Sequence, residues 1–129
     1  MSTSVAQMVA AAKAQVEAVA PKALAEELAA GDVVVVDVRE PVEWENYIPG
    51  AVQIPRGLLE FVADQVSPRH HPDLEFARRV VVYCHSGARA ALAAVTLQEM
   101  GFTNVANLDG GFGAWTSAGL QTASHHAGI

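Results

Sequence analysis

Two valine-rich runs constrain the fold of this chain more than any other feature of its sequence. The first, Val33–Val38, is apolar at every position except Asp37, and the second, Arg79–Tyr83, has three consecutive valines at its centre. A strand that is apolar on both faces must be covered on both faces, which is the situation of a central strand in a parallel sheet. We therefore predict that both runs are buried neighbours in a sheet with helices on either side.

Helical patterns alternate with these strands along the chain. The main predicted helices are an amphipathic one over Ser4–Ala18, a second over Lys22–Ala30 after Pro21, one over Leu58–Val66 and an alanine-rich one over Gly87–Met100. Two further strands are predicted at Ala51–Ile54 and Val105–Leu108. Such alternation is typical of an α/β fold whose parallel strands are joined by right-handed crossovers.

A length of 129 residues fits one compact domain with a hydrophobic core. We divide the chain into an N-terminal helical extension at residues 1–20, a folded domain at residues 21–120 and a flexible tail at residues 121–129. The tail is assigned because the residues after Gly119 are small and polar.

Charge and N-terminal composition narrow the expected partners and location. The formal net charge is −6, from 14 acidic and 8 basic residues, whereas nucleic acids and anionic membranes attract basic surfaces. The first basic side chain is Lys13, which argues against a secretory signal peptide, and no apolar run reaches bilayer-spanning length. We expect a cytoplasmic protein that binds neither nucleic acid nor membrane.

Cys84 is the only cysteine, and it stands where the second valine strand gives way to a predicted helix. The first N–H groups of a helix are unpaired and the helix dipole is positive there, so this position favours the nucleophilic thiolate. A buried cysteine that acts only as a small hydrophobic residue is the commoner alternative. The residues that follow Cys84 favour a nucleophilic role for this cysteine over a purely structural one.

The loop after Cys84 has a composition suited to binding an anion. Its small residues let the backbone curl so that successive N–H groups point inward, and Arg89 closes it with a permanently charged, forked donor. We predict that Cys84 is the catalytic nucleophile of this site. The predicted substrate-binding residues are His85, Ser86, Gly87, Ala88 and Arg89.

Three motifs, in order along the chain, resemble those of the single-domain rhodaneses. They are Val34–Glu40 followed by Tyr47-Ile48-Pro49-Gly50-Ala51, then Cys84-His85-Ser86-Gly87-Ala88-Arg89, then Leu108-Asp109-Gly110-Gly111-Phe112 leading to Trp115. Together they span about Val33 to Leu120. The resemblance implies a single rhodanese-like domain at residues 21–120, with a five-stranded parallel sheet flanked by helices on both faces and the N-terminal helix added.

The resemblance also implies a sulfurtransferase cycle. The Cys84 thiolate would take the outer sulfur of a small anionic donor such as thiosulfate and become a persulfide. It would then pass that sulfur to cyanide or to a thiol, without a metal or organic cofactor. Because the chain has no second cysteine, the persulfide must be discharged to a molecule outside it, and a protein donor or acceptor is a further expected partner.

Two other functions stay open at this point. One is a sulfur carrier or sensor module that receives sulfur from a partner enzyme and turns over small donors poorly. The other is a phosphatase or arsenate reductase, but related cell-cycle phosphatases place five residues between cysteine and arginine. Only four intervene here, from His85 to Ala88, and by resemblance the shorter loop fits sulfur better than a phosphoryl group.

For several other polar residues the sequence predicts a structural role. Asp37 and Arg39 lie at the end of a strand beside the predicted site, and we interpret them as a supporting charge pair that ties the strand to its loop. The pairs His70–His71 and His125–His126 suggest a metal, but neighbouring histidines rarely share one ion and no acidic or thiol partner has suitable spacing. We predict no metal site.

Overall fold

The computed structural model describes residues 1–125 and shows a parallel five-stranded sheet at the centre of an α/β fold. Its strands lie in the order β1-β6-β5-β2-β4. Their bounds are β1 Glu17–Val19, β2 Val33–Asp37, β4 Val52–Gln53, β5 Arg79–Tyr83 and β6 Val105–Leu108. The two valine strands, β2 and β5, are neighbours, with Val34 opposite Val80 and Val36 opposite Val82. The predicted fold class is confirmed.

Helices cover both faces of this sheet. They are α1 Val5–Gln15, α2 Pro21–Ala30, α3 Leu59–Ala63, α4 Ala88–Met100 and α5 Gly111–Ser117. Single turns of 3₁₀ helix follow β2 at Pro41–Glu43 and β4 at Arg56–Leu58. Within residues 1–125, none of the helices combines the length and the apolar character needed to cross a bilayer.

Alternation along the two central strands divides the core into two clusters. Val34, Val36, Val80 and Val82 face one side of the sheet, where they join side chains of α3 and α4. Val35 and Val81 belong to the cluster on the other side, with side chains of α2 and α5. The unbroken valine runs therefore occur because both faces of β2 and β5 are buried.

The N-terminal segment differs from the prediction. Helix α1 begins after the Ser4 cap, whose hydroxyl accepts the N–H of Gln7, but it ends at Gln15. Glu17–Val19 form a strand instead, and this strand pairs in parallel with β6 at the edge of the sheet. The predicted helix over Ser4–Ala18 is therefore wrong at its C-terminal end. Residues 1–20 contribute a strand as well as a helix.

The segment predicted to be a flexible tail contains a short strand. Ala123–Ser124 form strand β7, which pairs antiparallel with β3, Asn46–Tyr47. The ring of His125 lies 4.7 Å from that of Tyr47, measured between centroids, and its Nε2 is 3.2 Å from the side-chain oxygen of Gln53. The remaining residues of the predicted tail, 126–129, lie outside the described part of the chain.

Candidate active site

Cys84 follows the last residue of β5 and is almost completely buried, with 1% of its surface exposed. Helix α4 begins four residues later, after Gly87, which adopts a left-handed backbone with φ of 108°. The carboxyl ends of parallel strands meet at one edge of a sheet, so the loops after β2, β5 and β6 come together around Cys84.

Backbone donors surround the thiol sulfur. The N–H of Gly87 donates to Cys84 Sγ at 3.1 Å and the N–H of Ala90 donates at 3.4 Å. Both donors belong to the first turn of α4 or its cap, where the helix dipole is positive. This geometry complements a negative charge on sulfur, which is the charge of a nucleophilic thiolate.

Backbone hydrogen bonds from the start of α5 hold the Cys84 loop in place. The N–H of Phe112 donates to the carbonyl of Cys84 at 2.8 Å, and the N–H of Gly113 donates to the carbonyl of His85 at 3.0 Å. From the neighbouring strand β6, Asn107 Nδ2 donates to the carbonyl of Gly87 at 3.1 Å. Three carbonyls of the loop are thereby bonded to β6 and α5, while the N–H groups of Gly87 and Ala90 point to the sulfur.

Arg89 forms an ion pair with Glu43, a residue whose role was not predicted from the sequence. Its two terminal nitrogens donate to the two carboxylate oxygens of Glu43 at 2.8 and 3.0 Å. Hydrogen bonding from Arg89 lowers the pKa of Glu43 from 4.5 to about 2, so this carboxylate is ionised at neutral pH. Arg89 was predicted to contact a substrate anion; in this structure its guanidinium makes an ion pair with Glu43.

The other members of the predicted substrate-binding loop differ in exposure. His85 and Ser86 are exposed, Ala88 is half-buried and Gly87 is buried. His85 and Ser86 therefore form the part of the loop that an incoming molecule meets first.

Asp37, the last residue of β2, forms a buried ion pair with Arg39. Arg39 donates through Nε to Asp37 Oδ1 at 3.0 Å and through Nη2 to Asp37 Oδ2 at 2.9 Å. The same guanidinium donates to the carbonyl of Asn46 at 2.8 Å, so it ties the end of β2 to β3. It also lies 4.4 Å from the ring centroid of Phe112.

Tyr83, the residue before Cys84, completes this network. Its hydroxyl donates to Asp37 Oδ2 at 2.7 Å and accepts the N–H of Ile48 at 3.1 Å. Burial raises the pKa of Tyr83 well above its usual range, and the nearby Asp37 carboxylate adds to the shift. The tyrosine is therefore a neutral structural link between β5, β2 and the chain before β4.

Sequence reasoning missed three supporting residues: Glu43, Tyr83 and Asn107. The sequence signal available for Tyr83 and Asn107 was a polar group within or at the end of an otherwise apolar strand. For Glu43 the signal was weaker, because its role depends on β2 lying beside β5.

The pair His70–His71 makes local contacts, whereas His126 of the pair His125–His126 lies outside the described residues. His70 Nε2 lies 2.9 Å from the carbonyl of Leu74, and His71 Nδ1 accepts the N–H of Asp73 at 3.1 Å. Among residues 1–125, no three His, Cys, Asp or Glu side chains converge as ligands of a metal would.

Comparison with known proteins places most of the chain in one family. Residues 20–118 match the model of the rhodanese-like domain. A sulfurtransferase from Allochromatium vinosum is 39% identical over 90 residues, covering 69% of this chain and 77% of that protein. The thiosulfate sulfurtransferase GlpE from Pseudoalteromonas translucida is 32% identical over 89 residues, covering 67% of this chain and 76% of that protein.

A solved structure extends the similarity beyond the family model. It is that of a protein of unknown function from Rhodopseudomonas palustris, described as a possible tyrosine phosphatase. The two structures superpose with a TM-score of 0.86 and 37% identity, over 95% of this chain and 96% of the other. Coverage of this extent includes most of the N-terminal segment as well as the domain.

Proposed function

We propose that this chain, a member of the rhodanese-like domain family, is a sulfurtransferase that carries sulfur as a persulfide on Cys84. The observation that carries the proposal is the sulfur atom at the end of β5 with two backbone N–H groups directed at it. Relatives named as sulfurtransferases support sulfur transfer in general.

The proposed cycle has two displacement steps. The Cys84 thiolate attacks the outer sulfur of thiosulfate, the S–S bond of the donor breaks, and sulfite leaves with the electron pair. The product is a Cys84 persulfide anion whose outer sulfur is then attacked by cyanide or a thiolate. That second attack breaks the new S–S bond, releases thiocyanate or an organic persulfide, and restores the Cys84 thiolate.

The residues around Cys84 have separate roles in this cycle. The N–H groups of Gly87 and Ala90 stabilise negative charge on the inner sulfur when it is the nucleophile and again when it is the leaving group. His85 and Ser86 lie at the exposed side of the loop, where they meet the donor. Asp37 and Arg39 position the loop through Tyr83.

Phosphate hydrolysis is the second candidate, because a close structural neighbour is described as a possible tyrosine phosphatase. Two features of this chain favour sulfur. The loop between Cys84 and Arg89 contains four residues, one fewer than the corresponding loop of the related cell-cycle phosphatases. In addition, two of the five guanidinium N–H groups of Arg89 already donate to Glu43, which leaves fewer of them for the oxygens of a phosphoryl group.

The test is the intact mass of the protein after incubation with thiosulfate, with Cys84→Ser as the matched control. We expect the wild type to gain the mass of one sulfur atom, to lose it on addition of cyanide, and the variant to gain nothing. An adduct that forms only with a cysteine desulfurase, and not with thiosulfate, would identify a carrier module instead. Hydrolysis of an aryl phosphate without any sulfur adduct would overturn the proposal in favour of a phosphatase.

A further inference from the structure

Three large apolar side chains are exposed on the segments that follow β2 and β4. Val42 is 91% exposed, Phe61 is 59% exposed and Leu58 is 39% exposed. Val42 belongs to the 3₁₀ turn after β2, whereas Leu58 and Phe61 lie at the start of α3, after β4. Because β2 and β4 are paired in parallel, both groups lie at the same end of the sheet.

One ion pair and one shared core cluster connect these two segments with the Cys84 loop. The residue after Val42 is Glu43, which is bonded to Arg89 at the end of the Cys84 loop. The residue after Leu58 is Leu59, which is fully buried in the same core cluster as Cys84. Leu58 and Phe61 are three residues apart and therefore share a face of the helix that Leu59 anchors. We call Val42, Leu58 and Phe61 the apolar rim.

The charges that accompany the apolar rim are predominantly negative. The segments 40–45, 56–61 and 84–89 contain four carboxylates and two guanidinium groups, a net charge of −2. Both guanidinium groups are already paired, Arg89 with Glu43 at 2.8 Å and Arg56 with Glu60 at 2.9 Å. The end of the sheet that carries the buried thiol therefore presents exposed hydrocarbon and net negative charge, a surface that complements apolar and basic groups.

We propose that the sulfur acceptor is a protein thiol set in an apolar surface bordered by lysine or arginine; this rests on the proposed function. Its thiolate attacks the outer sulfur of the Cys84 persulfide, the Cys84 S–S bond breaks, and Cys84 leaves as a thiolate. The acceptor becomes the persulfide, so no oxidant or reductant is consumed. The apolar rim increases the occupancy of the encounter complex, and the negative charge selects a basic partner.

The experiment uses the full chain loaded with sulfur from thiosulfate and freed of excess donor. Two peptides of equal length, each with one cysteine, serve as acceptors: one rich in leucine and lysine, the other in serine and glutamate. The rate of peptide persulfide formation is followed by mass spectrometry and divided by the rate of discharge to cyanide. Wild type is compared with Val42→Ser and Phe61→Ser, and with Val66→Ser, which changes an equally exposed valine (89%) beyond the far end of α3.

We expect the leucine- and lysine-rich peptide to accept sulfur at least several-fold faster than its counterpart. Val42→Ser and Phe61→Ser should each lower its normalised rate several-fold, and Val66→Ser should leave that rate at the wild-type value. Equal rates for the two peptides, or rim variants that behave like Val66→Ser, would overturn this inference while leaving the sulfurtransferase intact. If no persulfide forms on wild type from any donor, it is the proposed function that fails, and the inference falls with it.

Discussion

Gly111 marks the closest approach between the loop that carries Cys84 and the loop that supports it. Its backbone is left-handed, with φ of 62°, and a Cβ atom built on it would lie 2.5 Å from the carbonyl oxygen of His85. That oxygen is fixed, because it accepts the N–H of Gly113. Any side chain at position 111 must therefore displace the Cys84 loop or the turn into α5.

We predict that Gly111→Ala lowers the free energy of unfolding by about 1–3 kcal/mol, since it adds backbone strain and a steric clash. It should also slow sulfur uptake by Cys84, because the N–H groups around the sulfur move with the loop. Urea denaturation and the thiosulfate mass assay measure the two effects. Gly57→Ala is the matched control, since a Cβ there meets nothing within 4 Å, and it should stay within about 0.5 kcal/mol of wild type. Equal stabilities of the two variants would contradict the steric account.

The ion pair between Glu43 and Arg89 gives the stability a defined dependence on pH. The pKa of Glu43 is about 2 in the folded protein, against 4.5 for an unperturbed glutamate, so between these values the unfolded chain binds more protons. Stability therefore rises with pH in this window. The contribution of the pair is complete above pH 4.5 and is lost as the pH falls through about 2.

We predict that Glu43→Gln lowers the free energy of unfolding at neutral pH by about 0.5–1 kcal/mol, the range of a solvent-screened pair, since 42% of the Arg89 side chain is exposed. The difference from wild type should shrink between pH 4.5 and about pH 2. Denaturant titrations at several pH values measure it. A difference that stays constant across this window would show that the loss comes from packing and not from charge.

Strand β1 is the element whose role differs most from its sequence pattern. Three residues, Glu17–Val19, close the edge of the sheet beside β6, and Val19 is buried in the core. Arg79 of β5 stabilises this edge of the sheet, because it donates to both carboxylate oxygens of Glu17 at 2.8 and 2.9 Å. The family model begins at residue 20, yet the segment before it completes this sheet.

We predict that removing residues 1–19 lowers Tm by roughly 10 °C or more, because it uncovers β6 and deletes the buried side chains of Ala12, Val16 and Val19. Removing residues 1–3 should have no measurable effect, since they are exposed and the Ser4 cap is retained. Thermal unfolding followed by circular dichroism tests both. If the longer deletion left Tm unchanged, the N-terminal segment would be an appendage and not part of the domain.

The short elements explain where prediction was least accurate. The predicted helix Leu58–Val66 contains α-helix only at Leu59–Ala63, and the predicted strand Ala51–Ile54 is reduced to Val52–Gln53. Segments this short have little periodicity of their own, so tertiary contacts decide their bounds. The two valine strands were predicted within one residue, because their whole length is determined by burial.

At the scale of the whole molecule, the order of strands assembles the site. Strand β5 lies between β6 and β2, so the Cys84 loop has the turn before α5 on one side and the 3₁₀ turn of Glu43 on the other. Glu43 and Gly111 are 68 positions apart in the chain, yet both act on the same six-residue loop. The chemistry of that loop depends on neighbours that the crossovers bring to it.

The sequence by itself determined the class of fold, the identity of the central strands and the position of Cys84. These follow from local information: runs of β-branched apolar residues, alternation with helices, and small residues after a cysteine. Tertiary structure decided that Glu17–Val19 is a strand, that Arg89 pairs with Glu43, and that Tyr83 joins Asp37 to Ile48. Each of these depends on a partner far away in the chain, and a hydrogen bond or ion pair forms only where folding brings both groups within about 3 Å.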